Sequence, residues 1–264
     1  MDTSGYETLL VRQDGSLLTV TLNRPELRNA TNNRMEQELC RVFGDANHDP
    51  EVLVVIVTGA GQTFSAGGDF EYIRDNLKEP SKGWNAARWG KQIVFSMLEC
   101  SKPIITRING HAVGFGTTLA LFCDITIAVD SAKIGDPHVA VGLVAGDGGA
   151  VIWPQLIGYA RAKEFLFTGE PLMAPDAARI GLINRSVPAA ELDEAVNQFA
   201  RKLASLPPRA LQWTKASVNI GLKQLAHSIM DASMAYELVS ITTQDHHEAM
   251  AALGEKRAPV FTGK

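Results

Sequence analysis

Two kinds of apolar pattern alternate along the first two thirds of the chain. Short apolar or β-branched runs at Leu17–Leu22, Val52–Thr58, Ile104–Ile108 and Ile125–Val129 read as strands. Val52–Thr58 is apolar up to its last residue, as a strand covered on both faces is, and the last two are read as strands of the same kind. Between the runs, apolar residues recur at every third or fourth position: Met35, Leu39, Val42, Phe43 and Ala46 within Asn32–His48, then about Trp84 to Glu99 and Phe115 to Phe122. That spacing predicts helices with one buried stripe, the first capped by Thr31 or Asn32. Strand and helix in alternation predict an α/β core with a parallel sheet. Beyond Pro188 the pattern is helical throughout, over Glu191–Ala204, Pro208–Val218 and Leu222–Ile241. The expected division is a core over residues 1–190 and a helical region over 191–264.

A chain of 264 residues, 45% hydrophobic and 20% charged, suits one main globular domain. With a net charge of -4 and scattered basic residues, it has no field suited to a nucleic-acid backbone or an anionic membrane. An anionic ligand therefore needs a local site. No run of apolar residues is long enough to span a bilayer, and the opening residues are acidic and polar where a secretory leader is basic and apolar. A cytoplasmic location is expected, with Cys40, Cys100 and Cys123, odd in number and far apart, as reduced core thiols. The chain has no C-x-x-C or H-E-x-x-H pattern. The adjacent His246 and His247 point about 100° apart on a helix, so no metal is expected and the pair is placed on a solvated face.

The candidate chemistry lies in two glycine loops, each leaving a buried strand and entering a helix: FSAGGDF from Phe64 to Phe70, and NGHAVGFG from Asn109 to Gly116. Glycine lets backbone N–H groups approach a ligand closely, and two converging N–H groups make an oxyanion hole. Ordinary turns account for the glycines equally well at this level. Gly59-Ala60-Gly61 lacks the third glycine of a dinucleotide fingerprint, and Ser65 in TFSAG lacks the first glycine of a nucleophile elbow. His111, after an Asn-Gly turn, reads as structural.

Collinear blocks over nearly the whole chain resemble the crotonase (enoyl-CoA hydratase/isomerase) superfamily: VTLNRPELRNA, TFSAGGDF, KPIITRINGHAVGFGTTLALFCDITIAVDSAKIGDP, GLVAGDGGA, LFTGEPLMAPDAARIGLINRSVP and GEKRAPVF. The resemblance implies an α/β spiral of ββα units with a C-terminal helical trimerisation region, assembled as a homotrimer or hexamer. It also implies an acyl-CoA substrate, with CoA entering as part of that substrate and no separate cofactor. The thioester carbonyl would be polarised by the N–H groups of Gly68 and Phe115, with Ala66 and Gly114 beside them. CoA contacts carry over to Leu27, Arg28, Ala30, Ala66, Asp69 and Lys256, while Leu253 stands where an aromatic is common.

The resemblance also exposes a departure. Thr118 and His138 occupy the places of the two glutamates that hydratases use, and from that place Thr118 is expected to touch the substrate. Threonine is no base near neutral pH, whereas histidine titrates there. Nine residues after His138 comes Asp147, in a loop where several branches place a catalytic acid, and GDGGAVIWPQLIG is similar to the 6-oxocamphor hydrolase branch. Asp147 as a helix cap, His138 as a core histidine and Asp136 as a turn former before Pro137 are the plain alternatives. Three functions remain open. One is enolate chemistry on an acyl-CoA with His138 and Asp147 as the proton-handling pair; the others are hydrolysis of a β-diketone carbon–carbon bond and a silent CoA-binding scaffold.

Overall fold

The computed structural model describes residues 3–78 and 80–264. Strand β1 (Leu9–Asp14) turns at Gly15, whose φ of 55° suits glycine, into the antiparallel β2 (Leu17–Leu22). Strand β2 matches its apolar run, whereas β1 has none to announce it, being an edge strand whose inward face is little more than Leu9 and Val11. Asn32 Oδ1 accepts the Met35 N–H at 3.0 Å and starts α1 (Asn33–His48), so Asn32, not Thr31, is the cap. There follow β3 (Val54–Gly59), α2 (Phe70–Lys78), α3 (Pro80–Glu99), β4 (Ile104–Ile108), β5 (Ala112–Val113), α4 (Phe115–Leu121), β6 (Ile125–Val129) and β7 (Lys133–Gly135). Then come α5 (Gly149–Ile157), α6 (Tyr159–Thr168), β8 (Leu172–Met173), α7 (Ala174–Arg179), β9 (Arg185–Val187), α8 (Leu192–Ala204), α9 (Pro208–Ile241) and α10 (Gln244–Glu255).

The main sheet has the order β1-β2-β3-β4-β6-β9, parallel from β2 onward, and β5-β7-β8 form a smaller sheet. Every residue of β3 is buried, which explains its unbroken apolar sequence. Leu192, Val196 and Ala200 of α8 are buried, and this helix packs on β2, β3, β4 and β6. Helix α9 is continuous where two helices were expected. The space beside Gly221 is open, and a single helical glycine costs only about 1 kcal/mol against alanine. The apolar period breaks because α9 packs on α3 and α5 over part of its surface and leaves Trp213, Val218, Ile220, Tyr236 and Val239 exposed. All three cysteines are free thiols, Cys100 and Cys123 buried and Cys40 half-buried. Among the described residues no helix is long and apolar enough to cross a membrane.

Candidate active site

Because β3 and β4 are parallel neighbours, the loops leaving their carboxyl ends run side by side. Val113 N–H donates to the Ser65 carbonyl at 3.0 Å, and Phe64 N–H to the His111 carbonyl at 3.0 Å. At Gly67, with φ of 88°, a Cβ would lie 2.8 Å from the Val113 carbonyl oxygen, so only glycine permits this approach. Ser65 is fully buried; its hydroxyl donates to the Asn29 carbonyl and accepts Gly67 N–H, which makes it a strut between loops. The Ala66 N–H is spent on the Arg28 carbonyl and that of Gly114 on the Gly135 carbonyl. The N–H groups of Gly68 and Phe115 have no partner among the described residues, and both residues line the same cavity.

Beyond β7 the chain enters a 3-10 turn, His138–Val141. His138 Nδ1 is hydrogen-bonded to Asp136 Oδ1, and His138 Nε2 faces Asp147 Oδ2 at 3.4 Å. Asp136 is thus more than a turn former: its buried carboxylate fixes the imidazole, a role that Pro137 beside it disguised in the sequence. Asp147 precedes the N-cap of α5, Gly148, and its carboxylate is addressed by the Gly149 N–H at the start of that helix. Its Oδ1 also accepts the Thr118 hydroxyl at 3.0 Å. Thr118, expected to touch substrate, is fully buried outside the cavity wall and supports Asp147. A Cβ at Gly114 would lie 3.7 Å from His138 Cε1, so the imidazole stands over the second glycine loop.

The cavity has a volume of about 360 Å³, within the range of small-molecule sites. It is mainly apolar, with ionisable groups that sequence reading did not single out: Glu36 from α1, Tyr72 from α2 and Glu237 from α9. His246 also lies in its wall, which corrects the solvated face expected for it. It is fully buried and its Nδ1 meets the Val141 carbonyl at 2.6 Å, tying α10 to the turn that carries His138. His247 is exposed. The polar sequence around His246 gives no sign that a turn 105 residues away covers it.

Burial opposes a charge on His138, but the carboxylates of Asp136 and Asp147 outweigh it and hold its pKa well above the ordinary histidine value. Asp147 is raised by burial, against the attraction of His138. Glu237 is pushed up to about 8 by burial and then by the charge of Asp147, and Glu36 to about 7 chiefly by burial. The site thus places an imidazolium next to carboxyl groups that retain protons unusually well. Asp136, His138 and Asp147 offer atoms within 4.8 Å of one another. However, the two carboxylates address opposite nitrogens of one ring, which suits a proton relay better than a metal clamp.

The remaining expected CoA contacts are placed unevenly. Leu27 and Arg28 are exposed, and Ala30 is buried, on the segment bonded to the Ala66 loop. Asp69 is committed elsewhere: it pairs with Arg24 Nη2 at 2.8 Å and accepts the Glu71 N–H. Leu253 borders the cavity, whereas Lys256 caps α10 in a left-handed conformation outside its wall. His111 holds β7 through the Lys133 N–H, a structural role as expected.

Thr118→Val keeps shape but removes the hydroxyl from Asp147. A net loss of about 1 kcal/mol in stability and about tenfold in turnover is expected, since one buried hydrogen bond is worth that much. Thermal unfolding and initial rates measured side by side check it, and an unaltered rate would detach Thr118 from the chemistry.

Residues 12–264 match the model of the enoyl-CoA hydratase/isomerase family. The short-chain-enoyl-CoA hydratase of Clostridium acetobutylicum is 34% identical over 94% of this chain and 95% of its own. The crotonyl-CoA hydratase of Syntrophomonas wolfei is 34% identical over 98% of this chain and 99% of its own. Among solved structures, an enoyl-CoA hydratase/isomerase from Mycobacterium paratuberculosis superposes with a TM-score of 0.89 at 35% identity, covering 94% of this chain and 99% of that one. The fold, the paired glycine loops and these matches agree: the chain belongs to the enoyl-CoA hydratase/isomerase family, the crotonase superfamily.

Proposed function

We propose that this protein binds an enoyl-CoA thioester with its carbonyl oxygen between the N–H groups of Gly68 and Phe115, and that His138 and Asp147 exchange protons with the enolate formed there. The supporting observation is an imidazole, backed by Asp136 and facing Asp147, standing over Gly114 beside two N–H groups that have no partner among the described residues. Donors already aimed at the oxygen need no reorganisation when it becomes charged. The names of the matched relatives, hydratases of short-chain enoyl-CoA and crotonyl-CoA, support the substrate class.

In hydration, Asp147 takes a proton from water as the water oxygen adds to the β carbon. The electron pair of the double bond moves toward the thioester oxygen, and the His138 imidazolium returns a proton to the α carbon. A proton then passes from Asp147 to His138 and restores both. With no water at the β carbon, the same pair moves a proton between carbons and shifts the double bond. Exposed apolar side chains along α9 support assembly of copies through the helical region.

Glu237 favours a second reading, hydrolysis of a β-diketone. There the His138–Asp147 pair takes the proton of water, the water oxygen attacks one carbonyl carbon, and the carbon–carbon bond breaks to an enolate held by the N–H pair. Glu237, whose pKa is raised by burial and by the charge of Asp147, gives that carbon its proton and regains one from the His138–Asp147 pair. Mass spectrometry in D2O separates the two. Crotonyl-CoA is expected to lose a γ proton to the pair and gain deuterium at the α carbon of the resulting dienolate faster than it accumulates hydrated product, because one imidazole–carboxylate pair replaces the two-glutamate pair. Cleavage of a CoA-free diketone with no isotope uptake into acyl-CoA would overturn the first reading in favour of the second.

A further inference from the structure

Helix α1 buries two carboxylates, on flanks about 160° apart around its axis, and they are treated very differently. Glu38 accepts hydrogen bonds from the N–H groups of Glu7, Thr8 and Leu9 and from the Thr8 hydroxyl, at 2.6–3.1 Å. That is the full set a buried carboxylate needs. Glu36 is 8% exposed and lines the cavity, yet receives a single hydrogen bond among the described residues, from the Tyr72 hydroxyl at 2.9 Å. Its neighbours on the same face, three and seven residues on, are Leu39 and Phe43, both fully buried. A leucine there would cost nothing in desolvation, while an under-bonded buried carboxyl costs stability. The residue breaks the pattern of its own helix at the one place where that helix meets the cavity.

We propose that the acyl group held in this cavity carries a hydroxyl that hydrogen-bonds to Glu36, making Glu36 a specificity residue. The inference rests on the acyl-CoA reading above. A hydroxyl suits both states of the carboxyl, accepting from the acid and donating to the carboxylate. A carboxylated acyl chain does not suit it, because Glu36, Asp147 and Glu237 all border the same space. The cavity therefore selects an uncharged, hydroxylated acyl group. Sites built to bond a hydroxyl discriminate strongly against analogues that lack it, since a protein group is then left unpaired.

The test uses the full chain and three sets of enoyl-CoA thioesters of equal length: plain, carboxylated at the end, and hydroxylated at each carbon beyond the double bond in turn. One hydroxylated thioester is expected to exceed the plain one in kcat/KM by about tenfold or more, mainly through KM, with the carboxylated one slowest. In Glu36→Leu that ratio should fall to about one, and Glu36→Gln, which still bonds a hydroxyl, should keep part of it. Equal kcat/KM for plain and all hydroxylated thioesters, or a ratio that survives Glu36→Leu in a folded variant, would overturn the inference. Failure of every thioester, including crotonyl-CoA, to bind in calorimetry would overturn the acyl-CoA reading itself and this inference with it.

Discussion

His138→Ala is expected to leave acyl-CoA binding within a few-fold of the parent in calorimetry while removing α-proton exchange and turnover by about 10²–10⁴-fold, the range of general acid–base catalysis by one group. The separation follows from the layout. The two N–H groups that meet the thioester oxygen come from the glycine loops, held by backbone bonds that do not involve His138. The imidazole is instead carried by its own 3-10 turn and stands over Gly114. Deuterium uptake into crotonyl-CoA reads the chemical loss directly. If uptake continues at the parental rate, the proton-handling groups lie elsewhere in the cavity, with Glu237 and Glu36 the next residues to replace.

Asp136→Asn should approach the same loss in rate, about 10²–10⁴-fold, and move the pH–rate profile. In the parent, burial disfavours the imidazolium and the carboxylates of Asp136 and Asp147 overcome that cost. With Asp136 neutral, burial counts for more and the pKa of His138 falls, so the limb that reports loss of its proton should move to lower pH. Stability follows the same linkage. A histidine with a raised pKa stabilises the fold fully below its unfolded pKa, near ~6.5, and that contribution is lost as pH rises through the folded pKa. The deficit in Tm of Asp136→Asn should therefore be largest in acid and shrink as the solution is made alkaline. A profile that keeps its position while the rate falls would make Asp136 a packing residue.

The parts of the molecule legible in the sequence are those whose environment is uniform. Strands β4 and β6 end where the apolar runs end, and β3 lies within a residue or two of its run, because both faces of each are covered. Helix α1 was readable from a stripe that is buried along its length. Elements shaped by partners distant in the chain were harder to see. Strand β1 depends on one neighbour, β2, and carries only two inward apolar side chains. The site divides along the same line. His138 and Asp147 stood out through a family resemblance that placed them in acid and base positions. Asp136 was hidden by the proline after it, and Glu36 and Glu237 by helices whose period shows a face but not what lies opposite. His246 was misplaced because the polar sequence around it gives no sign of the turn that covers it.

The cavity is assembled from widely separated parts of the chain: its glycine loops and the His138 turn come before residue 143, whereas Met234, Glu237, Leu238, Ile241, His246 and Met250 come from α9 and α10. During synthesis the floor of the site is made long before its roof. Domains fold from the amino-terminal side as the chain emerges, and apolar surface exposed meanwhile invites aggregation. The nascent protein therefore passes through an interval in which the main sheet can form around an open apolar trough. The same order has a counterpart in the finished molecule, where undocking α10 frees Val141 and the His138 turn without unzipping a single strand of the sheet. Mild heat or denaturant should accordingly silence this protein while its strands are still paired.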